Sequence, residues 1–154
     1  KYKKFDYYIF IDYSEDLIGY MIIEEIKVND LIKKTARFRH YRESKKRRLY
    51  IKKVKGTFKR ENILNLFFRK KIRNIIETPE IFSDIAEFLK KNHNSSIFVS
   101  VDDRQYSTFK RLVKIFDGVK TKVVKESELR KNTPEYRTNL VLDTWLNIER
   151  IKDK

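Results

Sequence analysis

Three aspartates stand where a carboxylate needs a reason. Asp12 follows the apolar run of residues 7–11, "YYIFI". Asp102 closes a second such run, "SIFVSVDD" at 96–103, and Asp143 interrupts the apolar stripe of "NLVLDTWLNI" at 139–148. A carboxylate carried into apolar surroundings is costly unless it is hydrogen-bonded, ion-paired or bound to a metal. An Asp in a helix interior also has poor propensity. Gathered at one place, three such acids suit a pair of hard divalent cations, which activate a water and stabilise the leaving oxygen of a phosphodiester. Each residue also has an ordinary account. Asp12 fits the opening of a turn. Either Asp102 or Asp103 fits the N-cap of a helix starting at Arg104; Asp103 is the better placed, which leaves Asp102 free. Asp143 fits a solvent-facing helix position.

These acids can meet only if the elements that carry them are neighbours. Residues 7–12 read as a fully buried strand, the turn "SEDLIG" follows, and residues 19–28 read as a second strand, together a hairpin. Residues 35–42, "TARFRHYR", alternate basic and other side chains and read as a strand; 43–48 read as a turn and 49–56 as another strand, so the first 55 or so residues predict a β-meander. At 60–77 the period changes: Ile63, Leu64, Phe67, Phe68, Ile72, Ile75 and Ile76 recur at helical spacing. Thr78-Pro79 ends that helix and opens another, Thr78 as cap, which carries Ile81, Phe82, Ile85, Phe88 and Leu89. A strand at 96–103, a helix at 104–116, a strand at 120–126 and a last helix from Thr133-Pro134 complete the chain. A meander followed by α-β units predicts an α/β fold of one domain, residues 1–154, with helices packed on a mixed sheet. If the strands ending in Asp12 and Asp102 are parallel neighbours, both acids lie at one carboxyl edge, where open α/β sheets bind ligands.

Composition narrows the chemistry. The chain has no cysteine and two histidines, His93, read as a surface loop residue, and His40, read as a strand residue among arginines. Disulfides, thiolate zinc sites and cysteine nucleophiles are excluded, and a metal would be held mainly by carboxylates, which favours Mg²⁺ or Mn²⁺. The same lack of cysteine, with no secretory signal at the N-terminus, leads us to expect a cytoplasmic protein. No apolar run approaches the ~20 residues that span a bilayer, so no membrane is expected. The 37 Lys and Arg face 22 Asp and Glu, a net charge of +15. A thermophilic or AT-rich genome raises both signs together; a one-signed excess instead points to a polyanion, by default nucleic acid. The excess is concentrated at 33–60, where Arg37, Arg39, Arg42, Lys45, Lys46, Arg47 and Arg48 are the candidate phosphate-gripping residues, on what reads as a hairpin ribbon. Such contacts hold the backbone and leave DNA and RNA undistinguished.

The order of elements and the placement of the acids resemble the ribonuclease H-like superfamily over nearly the whole chain. Asp12 in "FIDYSED" matches the family's acid on the first strand, Asp102 in "FVSVDDR" the one ending the fourth, and Asp143 in "NLVLDTW" the one on the C-terminal helix. Asp12-Tyr13-Ser14 looks like the "D-x-S" of small, poorly characterised archaeal and bacterial members. The resemblance implies a metal-dependent nuclease with Asp12, Asp102 and Asp143 as catalytic and metal-binding residues. Two features depart from the pattern. An extra helix precedes the fourth strand, and the family's Glu on the first helix has two matches, Glu61 and Glu77, with nothing to choose between them. A basic nucleic-acid-binding module without catalysis and a small interaction protein are the rival expectations.

Overall fold

The computed structural model describes residues 5–39, 45–101, 120–125 and 133–152. The sheet grows outward from β1, Tyr7–Ser14. A tight turn at Glu15-Asp16, with Glu15 at a φ of 53°, returns the chain as β2, Leu17–Glu24. The two are antiparallel, with Asp12 opposite Gly19. A 3-10 turn, Glu25–Lys27, leads into α1, Val28–Lys34, and then α2 runs Arg47–Arg60. The chain re-enters the sheet as β3, Arg69–Asn74, antiparallel to β2. After α3, Thr78–Lys91, β4 (Ser95–Val101) lies parallel to β1, and β5 (Lys120–Lys125) parallel to β4. The last helix, α4, spans Pro134–Lys152. The strand order is β3-β2-β1-β4-β5, so β1 is central. Among the described residues no helix is long and apolar enough to cross a membrane.

Strand alternation explains why β1 reads as a continuous apolar run. Ile9 and Ile11 pack with Ile81, Phe82, Ile85 and Phe88 of α3 on one face. Phe10 faces the other way, into a cluster with Leu140, Val141, Leu142 and Leu146 of α4 and Ile51, Val54 and Phe58 of α2. From Thr138 to Ile148 every residue of α4 except Trp145 is buried. A helix buried on nearly all sides lies inside its layer, here against β1 and β2 with α1 and α2 beside it. Gly19 permits this. A Cβ there would stand 3.1 Å from Leu146 Cδ2 and 3.2 Å from both Ile72 Cγ1 and the Lys71 carbonyl oxygen, so α4 can come down on the sheet only where β2 has no side chain.

The mixed sheet with packed helices is as expected; the middle of the chain is not. No strand forms at 49–56: the segment is α2, whose buried Tyr50, Ile51, Val54 and Phe58 share one helix face. Tyr, Ile and Val favour strands, but their spacing is helical once Phe58 is included. Of the strand expected at 35–42, the described part, 35–39, is the C-cap of α1 and the turn after it, with Phe38 N–H bonded to the Thr35 carbonyl; His40 and Arg42 lie outside the described residues. Among the described residues of this segment no hairpin ribbon forms. The helix expected at 60–77 is absent as well. Asn62 adopts a left-handed conformation, φ 53° and ψ 43°, just past the end of α2, a common way for a helix to stop. A 3-10 turn, Ile63–Leu66, and then β3 follow. The apparent helical period thus came from two 3-10 turns flanking an edge strand. Thr78 is the first residue of α3 rather than its cap, its hydroxyl donating to the Ile75 carbonyl at 2.5 Å. The third strand therefore comes after α1 and α2, and these two, not a second helix before β4, are the additions. The helix expected at 104–116 lies outside the described residues.

Candidate active site

Asp12 shares the strand face of Phe10 and looks toward α4. It is two residues short of the end of β1 and almost fully buried, 1% exposed. The turn begins only at Glu15, so Asp12 does not open it. Its Oδ1 accepts the N–H of Tyr13 at 2.8 Å, and its Oδ2 accepts from Asn139 Nδ2 at 3.4 Å. Asn139 lies on α4 one turn before Asp143, and residues four apart share a helix face. Asp143 is 6% exposed, so the solvent-facing account of it fails. Asp12 and Asp143, 131 positions apart in sequence, are both buried, and Asn139, one turn before Asp143 on α4, contacts Asp12. The Oδ1 of Asn139 is buried and has no hydrogen-bond partner among the described residues.

The polar stripe continues along α4. Asn147 Nδ2 donates to the Asp143 carbonyl at 2.9 Å, and its Oδ1 accepts from Ser14 Oγ at 3.3 Å and from Arg150 Nη2 at 2.9 Å. Arg150 Nη1 lies 3.5 Å from Glu15 Oε1, tying α4 to the β1–β2 turn. Arg150 and Glu15 stand at the rim of an open groove of about 1170 Å³ that reaches Trp145 and the β3 residues Lys70 and Arg73.

Part of the basic segment also reaches this site. The Tyr50 hydroxyl, on α2, accepts the Arg39 N–H at 2.8 Å, donates to the Arg39 carbonyl at 2.6 Å and bonds the Thr144 side chain beside Asp143. Burial, with the Asp143 charge adding to it, pushes the Tyr50 phenol above its ordinary value, against the opposing hydrogen bonds of Arg39 and Thr144. The Arg39 guanidinium lies over the Tyr50 ring, 5.4 Å from its centroid. Arg137 of α4 holds the same turn, donating to the Phe38 carbonyl at 3.0 Å and the Thr35 carbonyl at 2.6 Å. Arg37, Arg39, Lys45, Lys46, Arg47 and Arg48 are all exposed. Arg47 and Arg48 occupy the first turn of α2, which contains no acid. A helix N-terminus is the positive end of its dipole, and these two arginines add positive charge to it.

Asp102 and Asp103 lie outside the described residues, so the expected triad is described only in two of its members. β4, which leads to Asp102, is parallel to β1 as expected, pairing Ile11 with Val99. Among the described residues no three His, Asp or Glu side chains gather as a metal site. Neither proposed match to the family's helical Glu sits on the expected helix: Glu61 caps the C-terminus of α2 and Glu77 precedes α3, exposed. Sequence reasoning missed Asn139, Asn147 and Tyr50. The two asparagines had a legible signal, since Asn139, Asp143 and Asn147 recur every four residues through an otherwise apolar helix.

Comparison with known proteins identifies the fold. The crystal structure of ribonuclease H2 from Pyrococcus horikoshii OT3 matches with a TM-score of 0.56 and 14% identity, covering 95% of this chain and 72% of that one. The RNase HII in the PCNA:RNase HII complex from Archaeoglobus fulgidus matches with a TM-score of 0.54 and 13% identity, covering 95% and 72%. No protein-family model matches the sequence, and no curated protein does. The likeness is one of architecture: the chain has an RNase H-like α/β fold.

Proposed function

We propose that this chain is a metal-dependent nuclease that hydrolyses phosphodiester bonds in nucleic acid at a site built from Asp12, Asp102 and Asp143. The observation that carries the reading is that Asp12 of the central strand and Asp143 of α4 are both buried, and that Asn139, one helical turn before Asp143, bonds Asp12. Their oxygens are hard donors suited to Mg²⁺ or Mn²⁺, and the chain has no cysteine to offer a softer ion. When bound, such a cation supplies an activated water and stabilises the leaving oxygen. The chain's own residues do the rest. Tyr13 N–H fixes Asp12 Oδ1, and the Asn147 amide ties the α4 backbone at Asp143 to Ser14 of β1. Tyr50 holds the Arg39 backbone, with the Arg39 guanidinium over its ring. Arg39 with Arg37, Arg42, Lys45, Lys46, Arg47 and Arg48 grips the phosphate backbone.

The likeness to proteins named ribonuclease H2 and RNase HII makes an RNA-containing strand the first substrate to try. A cytoplasmic location, supported by the lack of cysteine, belongs to the same reading. The net charge of +15 also suits one rival, a basic binding module of the same fold.

Cleavage of labelled single- and double-stranded RNA, DNA and hybrid with Mg²⁺ or Mn²⁺ separates the two. Asp12→Asn should abolish cleavage and metal binding while nucleic-acid binding survives and stability holds or rises slightly, because one of the gathered charges is gone. Arg39, Arg47 and Arg48 changed to Ala should flatten the salt dependence of binding, the slope falling by about 1 for each phosphate that is no longer neutralised. An Asp12→Asn protein cleaving at the wild-type rate would sink the catalytic reading and leave the binding module.

A further inference from the structure

We infer that Asn139 is an oxygen ligand of the divalent cation, so that the site uses a neutral amide oxygen beside its carboxylates; this rests on the metal-dependent reading above. The first observation is burial. Asn139 is 5% exposed, and its Oδ1 has no hydrogen-bond partner among the described residues. Buried polar atoms are nearly always satisfied, so one that is not calls for a reason such as an ion. The second is position. Asn139 Nδ2 bonds Asp12 Oδ2, and Asn139 lies one helical turn before Asp143, so the amide stands against one carboxylate and on the helix face of the other. At 3.4 Å its contact with Asp12 is long for an N–H to a carboxylate, which ordinarily closes to about 2.7–2.9 Å when a charge assists it. A contact that loose is readily exchanged for a cation. The third is chemistry: hard cations accept amide carbonyl oxygens together with carboxylates.

A neutral ligand also suits the metal-free fold. Asp12 and Asp143 already place two carboxylates in a buried space, and a third charge at 139 would add repulsion there. The amide gives an oxygen without that cost, and its N–H can hold Asp12 when no cation is present.

A purely structural Asn139, needed only to donate to Asp12, makes a different prediction, and two variants separate them. Asn139→Ala removes both the oxygen and the N–H; Asn139→Asp removes the N–H but keeps a charged oxygen. Binding of Mn²⁺ is measured by calorimetry, with melting in the presence and absence of the ion. If Asn139 is a ligand, Asn139→Ala weakens Mn²⁺ binding at least about tenfold. Asn139→Asp then binds as tightly as wild type or tighter, melts lower without metal, and shows a larger metal-induced rise. Equal weakening in both variants assigns Asn139 the donor role alone and overturns the inference, as does wild-type affinity in Asn139→Ala. In both of those results the metal-dependent reading survives if Asp12→Asn still abolishes binding. Wild-type protein that binds no Mn²⁺ overturns that reading and this inference together.

Discussion

The two faces of the sheet hold their carboxylates at different depths, Asp84 at the rim of one and Asp12 buried within the other. On the α3 face, Asp84 accepts the Tyr20 hydroxyl at 3.0 Å and is ion-paired to Lys71, which also reaches Glu80 at 3.2 Å. Arg73 Nε lies 2.9 Å from the same Glu80 oxygen. Burial alone would raise the Asp84 carboxyl, but hydrogen bonds from Lys71 and Tyr20 outweigh it and hold the group below the usual carboxylate range. On the α4 face, Asp12 accepts from the Tyr13 amide and the Asn139 side chain, both neutral. Asp84 sits at the rim of its face, 23% exposed, where a lysine can reach it, whereas Asp12 lies under a helix. A carboxylate closed by a cation of the same chain is structural.

The comparison breaks most sharply by exchanging each acid for its amide. Asp12→Asn should lower cleavage by orders of magnitude with little change in stability. Asp84→Asn should do the reverse, leaving cleavage intact and costing about 1–3 kcal/mol, the range for a hydrogen bond to a charged group. The two measurements are a melting curve and a cleavage rate on each protein. Loss of cleavage in Asp84→Asn would erase the distinction between the faces.

Acidity sharpens it further. Because the folded-state value of Asp84 is depressed, its contribution is present above the ordinary carboxyl value, about 3.9, and is lost as pH falls through the folded value. Lys71 is raised, chiefly by its hydrogen bond with Asp84; its contribution is full below its ordinary value and is lost as pH rises through the folded one. Stability should therefore fall at both extremes of pH, and Asp84→Asn should flatten both limbs. Melting temperature against pH for the two proteins checks this, and an unchanged acid limb would move the stabilising carboxylate elsewhere.

Gly19 tests how closely the α4 face is closed. Gly19→Ala puts a methyl 3.1 Å from Leu146, and overpacking of this kind costs about 1–3 kcal/mol. Because Gly19 is opposite Asp12, metal affinity should fall with it. Gly56 supplies the smallest effect and a control. It lies on the exposed side of α2, with nothing within 4 Å of an added Cβ. Gly56→Ala should stabilise by about 0.5–1 kcal/mol through helix propensity and leave cleavage unchanged.

Legibility in the sequence followed the same division. β1 and β4 were readable because a strand buried on both faces is an uninterrupted apolar run. The third helix and the last were readable from their stripes: Ile81, Phe82, Ile85, Phe88 and Leu89 in α3, and Leu140, Val141 and Ile148 in α4. From Val28 to Asn74 the reading failed, because local preference and spacing disagreed. Tyr50, Ile51 and Val54 are strand formers set at helical intervals. The β3 segment "RKKIRN" holds a single apolar residue, since an edge strand buries little and is kept charged.

The sequence by itself determined that Asp12 and Asp143 sit in apolar surroundings, that any metal is held by hard oxygen donors, and that the charge suits a polyanion. These follow from residue type and local period alone. Only the tertiary structure decided that Asp12 and Asp143 are both buried, that Tyr50 bonds the basic turn at Arg39, and that Asn139 turns inward to Asp12. An asparagine on an isolated helix is an ordinary solvent-facing residue. It becomes a buried oxygen donor beside Asp12 because Gly19 lets α4 settle on the sheet, and that contact joins positions 19 and 146, which no local pattern relates.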